Sequence, residues 1–250
     1  MHRFYLPPGN CAGQSLRLEG REAHHALNVL RLRHGDPVTV LDGAGHEFRC
    51  DVENPTRQTV ILAVRSQTFV PPLPCQITLI QALPKGKIMD SIVQKAVELG
   101  AHRVIPILSE RVVSQLDDDG AESKREKWQQ VAVEAIKQSG APWLPHVETP
   151  QTIDQFLARK APFDLLFVGS LQPERCHPRA CLDEYRARHG APPQTIGVWV
   201  GPEGDFTPAE LAAIQAAGAR PITLGRLVLR VETAAIYCLS VLNYELNTTS

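Results

Sequence analysis

Two short stretches near the C-terminal end of this 250-residue chain have the residue types and spacing of a ligand site. The first is Val200-Gly-Pro-Glu-Gly-Asp-Phe-Thr207, between the apolar run Thr195-Ile-Gly-Val-Trp-Val200 and a segment opening on Pro208. Gly201 and Gly204 let a backbone approach a ligand closely or take positive φ. The simpler alternative for this stretch is an ordinary strand-to-helix turn. The second is Leu224-Gly-Arg-Leu-Val-Leu-Arg-Val-Glu-Thr-Ala234, where Arg230 and Glu232 flank the start of a last helix. An acid in a first helical turn is favoured by the macrodipole, which gives Glu232 a structural role whatever else it does. Arg230 opposes that dipole, so its presence points to a partner with negative charge or a carbonyl. Neither loop has the GxGxxG or GxxxxGK[ST] spacing, which argues against a dinucleotide fingerprint and a P-loop.

Such loops need a sheet to carry them. Gln76-Ile-Thr-Leu-Ile-Gln-Ala82, Arg103-Val-Ile-Pro-Ile-Leu108, Asp164-Leu-Leu-Phe-Val168, Thr195–Val200 and the short Pro221-Ile-Thr-Leu224 read as strands. Asp164–Val168 and Thr195–Val200 are continuous apolar runs, as parallel strands buried on both faces tend to be. Helices are expected between them, over 87–99 (closed by Gly100), 122–139 (closed by Gly140), 208–217 and 232–246, with Thr207 as an N-cap before Pro208. Strands alternating with helices imply a parallel α/β sheet, and in such sheets ligands bind beyond the carboxyl ends of the strands.

The first 70 residues differ. Pro37-Val-Thr-Val-Leu41 and Thr59-Val-Ile-Leu-Ala-Val64 have strand composition, Asp42-Gly43 signals a turn, and one helix is expected over Arg21–Leu30, stopped by Gly35. This reads as a small β-barrel with a helix. Pro71-Pro72-Leu73-Pro74 resists both helix and central strand and marks the linker.

Composition sets limits. With 43% apolar residues the chain can bury a full core, and it contains no apolar run of membrane-spanning length. Its start, Met1-His2-Arg3-Phe4-Tyr5, lacks an apolar stretch and predicts no signal peptide. The net charge of −1 means that any nucleic-acid contact must come from a local patch. Arg21 to His34 is the candidate, with Arg21, His24, His25, Arg31, Arg33 and His34 against the single acid Glu22; the alternative is the solvated face of an amphipathic helix. Six cysteines, at 11, 50, 75, 176, 181 and 238, form no CxxC pair. Their scatter predicts buried thiols in a reducing cytosol. Cys176-His177 and Cys181 lack a second ligand pair at zinc-site spacing, so no metal is expected.

The two C-terminal motifs, some twenty residues apart, closely resemble the signatures of the RsmE family, 16S ribosomal RNA uridine-N3 methyltransferases of the SPOUT class. Ala82-Leu-Pro-Lys-Gly-Lys-Ile-Met-Asp90, Gln94-Lys-Ala-Val-Glu-Leu-Gly100, Ser109-Glu-Arg111, Trp128 and Glu134-Ala-Ile-Lys-Gln-Ser-Gly140 look like its central motifs. Arg3-Phe4 and the His24-His25 to Arg31 stretch resemble its PUA-like barrel, so the similarity covers nearly the whole chain. Two positions depart: Ala141-Pro142 stands where relatives often have arginine after Gln-Ser-Gly, and Leu227 where a basic residue is common.

The resemblance implies an α/β fold with two domains, a PUA-like RNA-binding β-barrel over 1–72 and a SPOUT domain tying a trefoil knot over 73–250. It implies S-adenosylmethionine as cofactor, held by Val168 and Gly169, by Val200, Gly201, Pro202, Glu203 and Gly204, and by Leu224, Gly225, Val228 and Leu229. Arg230 would stabilise the anionic base or fix a phosphate, and Glu232 would orient Arg230 or accept the imide proton. RNA contacts would come from Arg3, Arg21, His25, Arg31, Arg33, Lys85, Lys87, Arg111 and Gln138. The expected partners are 16S ribosomal RNA of the small subunit and a second copy of the chain, in the cytoplasm. The alternatives are a SPOUT methyltransferase acting on another RNA, such as transfer RNA, and a non-catalytic RNA-binding assembly factor; affinity for S-adenosylmethionine separates the latter.

Overall fold

The computed structural model describes residues 2–56, 58–111 and 118–247, and the chain divides into two compact units. The first comprises Met1–Pro72 with Val133–Leu144; the second comprises Leu73–Ala132 with Pro145–Ser250. A single domain over 73–250 is the expectation from sequence, and the grouping of 133–144 with the N-terminal unit departs from it. The reason lies in side chains distant in sequence. The Arg3 guanidinium donates to the carbonyls of Lys137 (3.4 Å) and Gln138 (3.1 Å), Gly45 N–H donates to Pro142 O (3.0 Å), and Trp143 Nε1 donates to Val70 O (2.9 Å).

The N-terminal unit is a curled five-stranded sheet of β1 (His2–Tyr5), β2 (Ser15–Leu18), β3 (Pro37–Leu41), β4 (His46–Pro55) and β5 (Val60–Phe69), in the order β1-β3-β4-β5-β2. Only the β1–β3 pair is parallel. Register shifts between Arg49 and Cys50 and between Val52 and Asn54 bend the long β4–β5 ladder, as bulges do. The curl encloses Phe4, Leu16, Leu18, Val38, Val40, Phe48 and Leu62. Ala23 and Ala26 cover that core from the expected helix, which is α1 (Gly20–His24) continued by a π-helical turn, His25–Val29, rather than one α-helix.

The second unit is a seven-stranded parallel sheet. Its main strands are β6 (Gln76–Ala82), β7 (Arg103–Leu108), β10 (Leu165–Gly169), β11 (Thr195–Val200) and β12 (Arg220–Ile222), extended by the two-residue β8 (His146–Val147) and β9 (Gln151–Thr152). The order is β12-β10-β11-β6-β7-β8, with β9 also on β7. The helices are α2 (Ile88–Glu98), α3 (Asp118–Ser139, of which the part from Val133 on belongs to the first unit), α4 (Ile153–Ala158), α5 (Pro178–His189), α6 (Pro208–Ala216) and α7 (Val231–Asn247). Thr207 caps α6 in a capping box with Glu210, as its position before Pro208 predicts. The strand order reverses at β6: β7 lies on one side of it, β11 and β10 on the other. β10 pairs in parallel with both β11 and β12, so the carboxyl ends of these three neighbouring strands lie at the same edge of the sheet, where ligands bind in such folds. Among the described residues no helix is long and apolar enough to cross a membrane.

The expectation of six separate thiols is corrected. Cys176 and Cys181 are joined as a disulfide, because the turn before α5 folds Cys176 against β12, where its N–H reaches Pro221 O at 3.0 Å, one helical turn from Cys181. Cys11, Cys50, Cys75 and Cys238 are free, the last three buried. Burial pushes the thiols of Cys50, Cys75 and Cys238 up to about 12.

Candidate active site

The loops leaving β10, β11 and β12 wall a cavity of ≈ 570 Å³. Gly169 ends β10; Val200, Gly201, Pro202, Glu203 and Gly204 come from the next loop; Leu224, Gly225, Val228 and Leu229 come from the third. Arg230 and Glu232 also line it. Val168 does not: it is fully buried in the apolar core beneath, with Trp199 and Phe206. Sequence reasoning missed Ile88, Ser170, Leu171 and Arg175, which add to the wall together with Asp205, Leu227, Val231 and Ala234. Nothing in the Gln172-Pro-Glu-Arg175 segment advertises this; Arg175 is held there by donating to Ser170 O at 3.2 Å.

Local chemistry explains the shape. Phe206 packs edge-on against Trp199 (centroids 6.0 Å apart), which anchors the far end of the 201–206 loop in the core. Asp205, at φ +63°, accepts the N–H of Phe206 at 2.8 Å. Arg111, from the loop after β7, donates to Gly204 O, so its guanidinium clasps this loop. Glu203 reaches the other way and accepts the Lys85 N–H at 2.9 Å. The third loop turns through Gly225 at φ +111°, a conformation costly for any residue with a Cβ. Leu227 and Val228 at its tip are 78% and 77% exposed.

Arg230 caps α7 through its backbone: its carbonyl accepts the Ala234 N–H at 2.8 Å. Its side chain is exposed, and no ion pair with Glu232 occurs among the described residues. The cation therefore stands at the positive end of a 17-residue helix without local compensation, in the cavity wall. Such a site can hold an extended ligand by backbone and aliphatic contacts. Of its charged side chains, Glu203 and Asp205 accept backbone N–H groups and Arg175 donates to a carbonyl, while the Arg230 guanidinium and the Glu232 carboxylate have no side-chain partner among the described residues.

The expected RNA residues fall into three groups. Lys85 and Arg111 line a second cavity of ≈ 430 Å³ that shares Pro202 and Glu203 with the first. Lys87 is the exposed residue preceding α2. In the N-terminal unit, Arg31 and Arg33 are exposed, Arg31 at φ +55°, whereas Arg21 pairs with Glu134 at 3.4 Å and His25 sets its ring against Phe4. Arg3 is engaged with the last carbonyls of α3, including that of Gln138, so it has a structural task besides any RNA contact.

Comparison with known proteins defines the class first. The model of the RNA methyltransferase domain matches residues 71–243, and that of the RNA methyltransferase PUA domain matches residues 18–65. The ribosomal RNA small subunit methyltransferase E of Bacillus subtilis is 32% identical over 231 residues, 91% of this chain and 89% of that protein. This chain belongs to the ribosomal RNA small subunit methyltransferase E family. Two solved structures are similar throughout. A putative methyltransferase of Legionella pneumophila in complex with the bound cofactor SAM has a TM-score of 0.85 and 30% identity, with 97% of each chain covered. The ribosomal RNA small subunit methyltransferase E of Neisseria gonorrhoeae, bound to S-adenosyl methionine, has a TM-score of 0.85 and 29% identity, with 98% of each chain covered.

Proposed function

We propose that this chain catalyses S-adenosylmethionine-dependent methylation of N3 of a uridine in 16S ribosomal RNA, acting on the small ribosomal subunit as a cytoplasmic homodimer. The observation that carries the reading is the meeting of three strand-end loops around one cavity with the uncompensated Arg230 in its wall. The cavity fits the cofactor. Its volume lies within the ~300–1,000 Å³ of small-molecule sites, its walls are largely aliphatic, and at Gly169 a Cβ would stand 3.4 Å from Leu224, at the edge of the space. Gly169, Val200 to Gly204, Leu224, Gly225, Val228 and Leu229 would hold it, within the knot that the family resemblance implies. When bound, S-adenosylmethionine supplies an electrophilic methyl group on a sulfonium.

The rest of the chemistry falls to the protein. The uridine nitrogen must lie in line with the methyl carbon, which is a positioning task. Its imide proton must leave, because the neutral nitrogen has no lone pair free to attack. We assign proton acceptance to Glu232 and stabilisation of the anionic base to Arg230, a charged donor acting where charge develops. The exposed Leu227 and Val228 are surface that the second protomer would cover.

The test is nucleoside mass mapping of 16S ribosomal RNA from a deletion strain and its complement. Loss of one 3-methyluridine on deletion and its return on complementation is the expected result. An unchanged 16S profile with an altered transfer-RNA profile would overturn the substrate assignment.

A further inference from the structure

The ≈ 430 Å³ cavity of the second unit has no assigned occupant. Three cations line it, Lys85, Arg111 and Lys124, against a single carboxylate, Glu203. That carboxylate already accepts the Lys85 N–H, and Arg111 already donates to Gly204 O. The ammonium groups of Lys85 and Lys124 have no ion-pair partner among the described residues. Lys124 is half-buried on α3, one turn before Trp128, whose indole is fixed by donating to Asp90 at 3.0 Å. Gly86 and Met89 bring the start of α2 to the same cavity, and no side chain caps the amides of that helix. Two free ammonium groups, a clasped guanidinium and an uncapped helix start together make a site for an anion with several acceptor oxygens.

Pro202 and Glu203 are walls of both cavities, so whatever sits in one lies a single loop's thickness from the other. We propose that this second cavity binds the backbone phosphate of the nucleotide being methylated, which fixes the ribose and leaves the base to enter the first cavity. The proposal rests on the methyltransferase reading above and adds to it the anchor that positions the RNA. Phosphate contacts set register without reading sequence, and binding energy from a non-reacting part of a substrate can serve orientation at the reacting atom. Lys124 is then a positioning residue, not a catalytic one.

The test uses the full chain with Lys124→Ala, Lys124→Arg and the double variant Lys85→Ala/Lys124→Ala, assayed for methyl transfer to small-subunit ribosomal RNA over a salt series. The expected result for Lys124→Ala is a rise of about tenfold in RNA KM and a salt slope flatter by about one, with S-adenosylmethionine affinity unchanged and Lys124→Arg close to wild type. A second arm titrates uridine 5′-monophosphate, uridine and inorganic phosphate into the protein by saturation-transfer NMR. The monophosphate should bind more tightly than either of the others, and the double variant should lose that preference. Unchanged KM and salt slope in the double variant would overturn the proposal, as would inorganic phosphate binding as tightly as the monophosphate. Failure of the methyltransferase reading shows separately, as a wild-type chain that neither binds S-adenosylmethionine in calorimetry nor transfers a methyl group.

Discussion

The Glu203 carboxylate accepts the backbone N–H of Lys85 at 2.9 Å, joining the loop after β11 to the loop after β6 across 118 residues of chain. A hydrogen bond to a charged acceptor contributes ~1.5–3 kcal/mol when shielded and less where exposed, as here. Glu203→Ala should therefore lower S-adenosylmethionine affinity about tenfold, corresponding to ~1.4 kcal/mol, while circular dichroism stays unchanged. Glu203→Gln, whose amide oxygen still accepts, should recover most of the loss. Equal affinities for Glu203→Ala and wild type in calorimetry would show that this tie does not shape the cavity.

Replacing the loop glycines probes the cofactor site more sharply. A Cβ on Gly201 would meet Asp205 Oδ1 at 3.1 Å and the Phe206 ring at 3.4 Å, leaving room for a methyl group only if the loop gives. Gly201→Val should abolish cofactor binding in a protein that remains folded. Gly225→Val meets no neighbour but must adopt φ +111°, a strain of order 1–3 kcal/mol. It should weaken binding by distorting the third loop, and normal affinity in both variants would remove these loops from the cofactor site.

Much of this architecture is legible in the sequence where one element makes one signal. β11 is a nearly unbroken apolar run after Thr195, as a strand buried on both faces tends to be, and the observed bounds of β6, β7 and β11 coincide with the segments that read as strands. The Thr207–Glu210 capping box is likewise local. Other elements carry weaker signals. In β4 the inward Phe48, Cys50 and Val52 alternate with Glu47, Arg49 and Asp51, a period-two pattern that does not stand out as a hydrophobic run. In α5 only Pro178, Cys181 and Leu182 are buried, so charges dominate its 12 residues. The cavity's second arginine, Arg175, and the role of Arg3 depend on neighbours that leave no local trace. Arg3 meets carbonyls 134 and 135 residues away, and no periodicity encodes that.

That difference between Arg3 and its fellow candidates is itself testable. Arg3→Ala removes a partner from two carbonyls at the end of α3 and should lower thermal stability by ~1 kcal/mol. Arg31 and Arg33 are exposed, with no ion pair among the described residues, so their joint replacement by alanine should leave stability within ~0.5 kcal/mol. The double variant should instead flatten the salt dependence of RNA binding by about one unit for each phosphate it no longer holds. Identical salt slopes for wild type and Arg31→Ala/Arg33→Ala would move the RNA surface away from this segment.

Acid sensitivity should trace in part to Glu148. Burial tends to raise its pKa, but hydrogen bonds from Arg159 (2.6 Å) and Gln151 (3.0 Å), with Arg103 also at 3.2 Å, outweigh that and hold it below the usual carboxylate range. A depressed pKa in the folded state contributes stability that is present above the unfolded value of ~4.3 and is lost as pH falls through the lower folded value. Glu148→Gln should therefore cost ~1–2 kcal/mol at pH 7, discounted for partial exposure, and the gap to wild type should close as pH falls below about 4. Melting curves at pH 7 and pH 3 check this; a gap that stays constant would mean that the carboxylate charge is not what matters.

Arg230 remains the residue on which the chemistry turns. It stands in the cavity wall at the start of α7, where the helix dipole disfavours a cation, and Glu232 does not neutralise it. If it only locked the loop, that locking would need a partner, and among the described residues its guanidinium has none. The remaining role is toward the substrate, as charge develops on the base. Arg230→Ala should then bind S-adenosylmethionine within about twofold of wild type yet lose ~10²–10³ in single-turnover methylation at saturating cofactor. Because the interaction is made mainly in the transition state, kcat and kcat/KM should fall together. Arg230→Lys keeps the charge but loses the planar fork, so it should recover only part of the rate. A single-turnover rate near wild type for Arg230→Ala would leave Glu232 as the sole polar participant. Glu232→Gln, assayed across pH, would then have to show the loss that Arg230→Ala did not.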